Sequence, residues 1–376
     1  MNFTTKHIPA LDALRGIAVL MVMFFHFSSS EFVSPSKLVQ LIGKISVFGQ
    51  TGVDLFFVLS GFLITRILLA SKKDSSFFRK FYIRRALRIF PLYYGFLIIH
   101  FFIVPIATGG KVASFSGQIW GWIFLQNMPM TFPIGLNASP AHFWSLAVEE
   151  HFYLIWPVIL YLNPSHRLKI ILCAIILMAF VSRIILIELG FMVYYFTLCR
   201  FDALALGALL AVAELHYDGL SEFRKPLAIA ASILLVFLCV FWIVVGGRQS
   251  SIVQVVKFSL ISLFYFSVVG YFVSISSQRN EIESLLGRFL SFTGNISFGL
   301  YVFHPMVFGL LFEYLNFKNG NYTIEMVIGF LLSYSISLLS YNLYEKKFLR
   351  LKKYFEYDRV NVTSRTSMGN VPPKVL

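Results

Sequence analysis

Apolar runs long enough to cross a bilayer recur along the whole chain, and they leave few folds open. A helix needs about 20 apolar residues to cross the hydrocarbon core, whereas a barrel strand needs only about 10. Ten such runs can be read, at 11 to 29, 52 to 70, 89 to 107, 143 to 162, 168 to 188, 193 to 213, 227 to 245, 252 to 273, 294 to 314 and 324 to 344. They are too long for barrel strands, so helix is the backbone that satisfies its own hydrogen bonds in lipid. Only 13% of the 376 residues are charged, against about a quarter in soluble domains. A large soluble protein with buried helices would need polar partners that this chain lacks. The reading is an all-α polytopic transmembrane bundle. Its first run has no small-residue cleavage pattern and is followed by further spans, so it is not read as a secretory signal.

The net charge is +14, and its placement says more than its size. With the N-terminus inside, one side collects Lys6, the segment from Lys72 to Arg88, Arg167, Lys169, Arg224, Lys225, Arg279, Arg288 and the tail from Lys346. The other side receives only Lys37, Lys44, Lys111, Arg248 and Lys318. The positive-inside rule then puts both termini in the cytoplasm, and an even number of spans agrees. Residues 1–345 read as one membrane domain. Residues 346–376 read as a basic cytoplasmic tail, expected to be disordered after about Tyr357. The connection near 108 to 142 has Pro129, Pro133 and Pro140 among aromatic residues, which suits either an interfacial, re-entrant segment or a plain surface loop with aromatic anchors. No nucleic-acid motif accompanies the basic charge. Cys173, Cys199 and Cys239 lie in apolar runs with neither metal-ligand spacing nor a disulfide framework, so no metal is expected. No internal repeat argues for a transporter with inverted symmetry.

Ionisable groups inside such spans are expensive and need a reason. In LDALRGIAVLMVMFFHF, Arg15 and His26 are eleven residues apart, close to three helical turns, so they share a face about 16 Å apart. His26 falls in the outer half of its span, either as a hydrogen-bonded packing group or as a general base near neutrality, the latter needing an acid to orient its other ring nitrogen. Asp54, Glu149 and Glu150 lie at matching depth, with Arg200 and Asp202 in the upper to middle part of the sixth run. One pocket toward the outer half could collect them, or they form salt bridges that hold helices together. Glu149 and Glu150 point about 100° apart, so at most one faces a pocket squarely. The cytoplasmic half is basic instead: Arg15, Arg66, Arg79, Lys80, Arg84, Arg85 and Arg88. They suit a phosphate clamp, and equally a positive loop against anionic lipid. Composition alone does not separate group transfer from ion-coupled transport.

In order, LDALRGIAVLMVMFFHF, GVDLFFVLSGFLITR, FYIRRALRIFPLYY, FWSLAVEEHFYLIWP, RFDALALGALLA and ISFGLYVFHPMV resemble the membrane acyltransferase-3 family of bacterial O-acyltransferases, from about residue 7 to 345. That resemblance implies a multi-pass enzyme of the bacterial inner membrane. It would move an acyl group, usually acetyl, from cytoplasmic acyl-CoA to a hydroxyl of a cell-surface or secreted glycan or glycoside. The family's arginine and histidine of the first span match Arg15 and His26, and its acidic motif matches Glu149 and Glu150. Its arginine-rich segment matches Arg84, Arg85 and Arg88, its R-x-D motif Arg200 and Asp202, and its late motif Ser297, Tyr301, His304 and Pro305. Some members carry a fused extracytoplasmic hydrolase-like domain; none is seen here, so no relay through one is expected unless another protein supplies it. His304 suits a kink, hydrogen-bonding a freed carbonyl, or a contact with acceptor or CoA.

The mechanism expected holds CoA phosphates on Arg84, Arg85 and Arg88, with Arg15 and Arg66 nearby, and sends the pantetheine arm up the bundle to His26. His26, oriented by Asp54, Glu149 or Glu150, deprotonates the acceptor, or is itself acylated. Arg200 or Ser60 is asked to donate to the oxyanion. A transporter or flippase would instead move substrate without consuming acyl-CoA, and an assembly subunit would be indifferent to His26. Neither the acceptor nor the oligomeric state can be read from these residues.

Overall fold

The computed structural model describes residues 7–29, 43–245, 251–276, 284–314 and 322–357. Within them the regular structure is helical: α1 (Pro9–Ser29), α2 (Gly52–Ser71), α3 (Phe77–Ile98), α4 (Phe115–Trp122), α5 (Trp144–Leu162), α6 (Ser165–Glu188), α7 (Thr197–His216), α8 (Arg224–Val245), α9 (Ser251–Ser276), α10 (Leu285–Asn295), α11 (Ser297–Tyr314), α12 (Tyr322–Ser340) and α13 (Lys346–Leu351). A wider turn, Ile99–Ile103, carries α3 on to Val104–Ala107, and another, Tyr341–Glu345, joins α12 to α13. The chain is thus an all-α, multi-pass membrane bundle.

Among the described residues seven helices are long and apolar enough to cross a membrane, or eight if the pair α10 and α11, bent by 76°, counts as one broken span. The two remaining expected spans, α5 and α7, are helices of 19 and 20 residues that fall outside that count. Glu149, Glu150 and His151 sit on α5, and Arg200 and Asp202 on α7.

Helix α2 is the most buried of the apolar spans, at 61%, and α8 the least, at 6%, so α2 stands at the centre and α8 at the rim. Two backbone crossings without side-chain spacing build that centre. Gly61 of α2 lies on the Leu204 carbonyl of α7, while Gly207 of α7 lies on the Val58 carbonyl of α2. Gly16 of α1 and Gly294 of α10 meet the Leu290 and Asp12 carbonyls in the same way. With no hydrophobic drive between helices in lipid, such close approach is how they gain packing.

The middle of the 108–142 connection is folded into the bundle, while residues 108–112 and 133–136 stay exposed. Gln126 and Asn127 are fully buried. Gln126 Nε2 donates to the Phe143 carbonyl at 2.6 Å, and Asn127 Nδ2 donates to Thr197 Oγ1 at 2.8 Å. The expected tail also begins as structure: Arg84 Nη1 donates to the carbonyls of Lys352 (3.1 Å) and Phe355 (3.2 Å), docking the turn that follows α13 on α3. Residues 358–376, where disorder was expected, lie outside the described residues.

Candidate active site

Two hydrogen bonds set α2 and α5 side by side in the same direction. Ser60 Oγ donates to Glu149 Oε1 at 2.6 Å, and Trp156 Nε1 donates to Thr65 Oγ1 at 2.8 Å. That register puts Phe56 and Phe57 level with Ser145 and Leu146 toward the start of both helices, and Arg66 toward the other end. A narrow cavity runs between them, lined by Arg15, Arg85, Arg88 and Tyr153, then Ser60 and Glu149, then Phe56, Phe57, Ser145 and Tyr301. Basic groups gather at one end and aromatic ones at the other.

Two further cavities adjoin the basic end, because Arg85 and Arg88 line all three. One is bounded by His7, Asp12, Arg15 and Arg66, the other by Arg84, Lys352 and Tyr357. Arg66 is held by Glu214 at 3.0 Å, and Asp12 faces His7 at 2.6 Å. Among the described residues no carboxylate comes within ion-pair distance of Arg15, Arg85 or Arg88. Arg85 instead lies over the Tyr153 ring, 4.3 Å from its centroid. Several guanidiniums gathered in a bundle without a carboxylate at ion-pair distance have the chemistry that could hold a polyanion.

At the aromatic end Tyr301 lines the cavity. Its hydroxyl donates to the His142 carbonyl at 2.5 Å and so accepts from Ser145 Oγ at 2.6 Å. Behind Tyr301 stand three histidines, with the His142 ring 5.4 Å and the His304 ring 6.0 Å from its own. His26 Nδ1 is 2.8 Å from His304 Nε2, and His304 Nδ1 is 2.8 Å from the Leu300 carbonyl one turn back. His142 Nε2 lies 3.3 Å from the Val302 carbonyl. These four nitrogens face one another or carbonyls rather than a common point. Among the described residues no three His, Cys, Asp or Glu side chains could hold a metal ion.

The expected residues therefore divide between two places. Arg15, Ser60, Arg85, Arg88, Glu149, Ser297 and Tyr301 line the central cavity, Arg66 and Arg84 the adjoining ones, and His26 with His304 lies just past Tyr301. Asp54, Arg200 and Asp202 lie off the cavity. Arg200 Nη2 donates to Asp54 Oδ1, and Arg183 Nη1 donates to Asp202 Oδ2 at 2.8 Å. The expectation of one pocket collecting all these charges is thus corrected. Asp54 does not meet His26, because a guanidinium beside it on α7 is the stronger partner. Of the acidic pair, Glu149 lines the cavity, while Glu150 leaves Oε1 buried with no hydrogen-bond partner among the described residues. Arg200 packs over the Phe258 ring at 4.3 Å and is not placed to meet an oxyanion in the cavity.

Three residues of this region carry no signal that a sequence reader could have used. His142 lies in the connection before α5, Tyr153 is one aromatic residue among many, and Lys352 belongs to a basic run. Only folding brings them to the cavity or its end wall.

The fold and cavity define a helical membrane bundle with a basic cavity near buried histidines. A family described as an acyltransferase domain matches residues 8–342, and the chain belongs to that acyltransferase-3 family of bacterial inner-membrane proteins. It is similar to the peptidoglycan O-acetyltransferase OatA of Listeria monocytogenes, 29% identical over 349 residues that cover 85% of this chain and 52% of that protein. It is also similar to the O-acetyltransferase OatA of Staphylococcus aureus, 26% identical over 367 residues, 91% of this chain and 57% of that protein. The chain spans about half the length of these curated relatives. No solved structure matches it.

Proposed function

We propose that this protein takes an acyl group, most simply acetyl, from cytoplasmic acyl-CoA and transfers it to a hydroxyl of a cell-surface or secreted glycan. The supporting observation is the run of linked cavities from Arg84 and Lys352, past Arg85, Arg88 and Arg15, to the Tyr301 wall beside His26. In this reading the termini and the basic mouth face the cytoplasm and the ten helical segments cross or penetrate the bilayer. Arg85, Arg88 and Arg15 hold the CoA phosphates, and Arg84 contributes from the mouth while also docking the C-terminal segment. The narrow pantetheine arm then extends past Ser60 and Glu149, bringing the thioester up to Tyr301.

His26 is not among the residues that line the cavity, so in this reading a lining side chain gives way during transfer. Tyr301, whose ring packs 6.0 Å from that of His304, is the one proposed to turn aside. His26 then takes the proton from the acceptor hydroxyl as the oxygen attacks the thioester carbon. The C–O bond forms, the C–S bond breaks, and the imidazolium proton passes to the CoA sulfur. Alcohol and acyl thioester become ester and free thiol, with nothing else consumed. Asp54, Arg200 and Asp202 act at a distance by holding α2 and α7, while the acylated-histidine route uses the same residues with His26 as nucleophile.

The test is transfer of label from [14C]acetyl-CoA to the glycan fraction of native membranes. His26→Ala is expected to abolish it while CoA binding, measured by calorimetry in detergent, is retained. Arg85→Ala with Arg88→Ala is expected to weaken CoA binding at least about tenfold. Near-normal transfer by His26→Ala would reject the base, and unchanged CoA binding by the arginine variant would reject the clamp.

A further inference from the structure

The hydrogen-bond chain through the two histidines has a direction. A carbonyl oxygen only accepts, so the contact between His304 Nδ1 and the Leu300 carbonyl at 2.8 Å places a proton on Nδ1 of His304. In a neutral imidazole Nε2 then carries the lone pair. That nitrogen lies 2.8 Å from Nδ1 of His26, so the His26 proton belongs on Nδ1 and its own lone pair on Nε2. A backbone carbonyl of α11 thereby decides, two rings away, which nitrogen of His26 is the base. His304 is fully buried and sits beside Pro305, on a helix already tied to the α5 side through Tyr301 and Ser145. Its ring is held by a contact at each nitrogen, the Leu300 carbonyl at Nδ1 and His26 at Nε2.

We infer that His304 is the positioning residue for His26: it holds the Nδ1–H tautomer and accepts the stronger hydrogen bond that forms when His26 becomes imidazolium. This rests on the reading of His26 as the base. It fills, with a neutral imidazole, the place that a carboxylate usually takes. A neutral partner suits this position, because a buried carboxylate next to a transient cation would need further donors in the resting state. The proton taken from the acceptor goes to His26 Nε2 and leaves to the CoA sulfur, while the proton on Nδ1 stays throughout.

The experiment reads the tautomer and the rate separately. In full-length protein labelled with [15N]histidine and held in lipid, the His26 signals are assigned by their loss in His26→Ala. The wild type is expected to show a pyrrole-type signal for Nδ1 of His26 and a pyridine-type signal for Nε2. His304→Phe keeps a ring but removes both nitrogens. It is expected to lose that preference and to lower kcat for [14C]acetyl transfer to native membrane glycans about 100-fold, with KM for acetyl-CoA unchanged. His304→Gln offers a side-chain carbonyl to Nδ1–H and is expected to restore both the tautomer and most of the rate. A merely structural His304 would lower thermal stability without the tautomer change and without the Gln rescue.

A wild-type protein with the proton on Nε2 of His26 overturns the inference, and so does His304→Phe with unchanged tautomer and kcat. If His304→Phe does not fold, the wild-type and His304→Gln spectra still decide. Should His26→Ala remain active, the reading of His26 as base fails, whatever the tautomer proves to be.

Discussion

Asp54 and Arg200 neutralise one another inside the contact between α2 and α7, and Arg183 does the same for Asp202 between α6 and α7. Removing one partner of such a buried pair leaves a charge with nowhere to go. Asp54→Leu is therefore expected to destabilise the protein by about 3–5 kcal/mol, while Asp54→Leu with Arg200→Met loses less than the single change. Thermal unfolding in detergent checks the order, and additive losses would show that the two residues act independently. At this scale the sequence shows which side chains demand partners, since a charged residue in an apolar run is conspicuous. It does not show who meets whom. Asp54, Glu149 and Glu150 looked alike as neighbours for His26, but Asp54 meets Arg200, Glu149 meets Ser60, and His26 meets His304.

The helix pairs rest on backbone approach. A methyl group on Gly207 would fall inside the van der Waals shell of the Val58 carbonyl, and helix backbones on both sides leave nothing soft to move. Gly207→Val is expected to cost about 1–3 kcal/mol and to lower the melting temperature. Gly309→Ala, whose added methyl would meet nothing within 4 Å, serves as the tolerated control. Equal melting temperatures for the two variants would contradict the crossing. Helix existence was legible in every apolar run because length and hydropathy alone specify it in lipid. The ends and bends were less so. The run read from residue 294 begins instead after a sharp break between α10 and α11, and α3 starts well before its apolar part, carrying Arg84, Arg85 and Arg88 on the helix itself.

For the molecule as a whole, the proposed reaction needs a sidedness: donor on one side, acceptor on the other. In a background lacking Cys173, Cys199 and Cys239, Ser75→Cys is expected to react with a membrane-impermeant maleimide in inverted vesicles, and Lys111→Cys in intact cells. Both positions are exposed in the turns at opposite ends of α3 and its continuation. The reverse labelling would place the basic mouth outside and end the cytoplasmic-donor proposal. From residues alone came the helical, membrane-spanning character, the family likeness, and the identity of the arginines and histidines whose burial calls for a reason. Lipid makes each polar group costly, so its mere presence is informative. What only the tertiary structure decided was the pairing: the separation of the Asp54–Arg200 network from the cavity, the Tyr301 wall, and His304 against His26. Those contacts join residues far apart in the chain, and no local rule of propensity or spacing reaches across such distances.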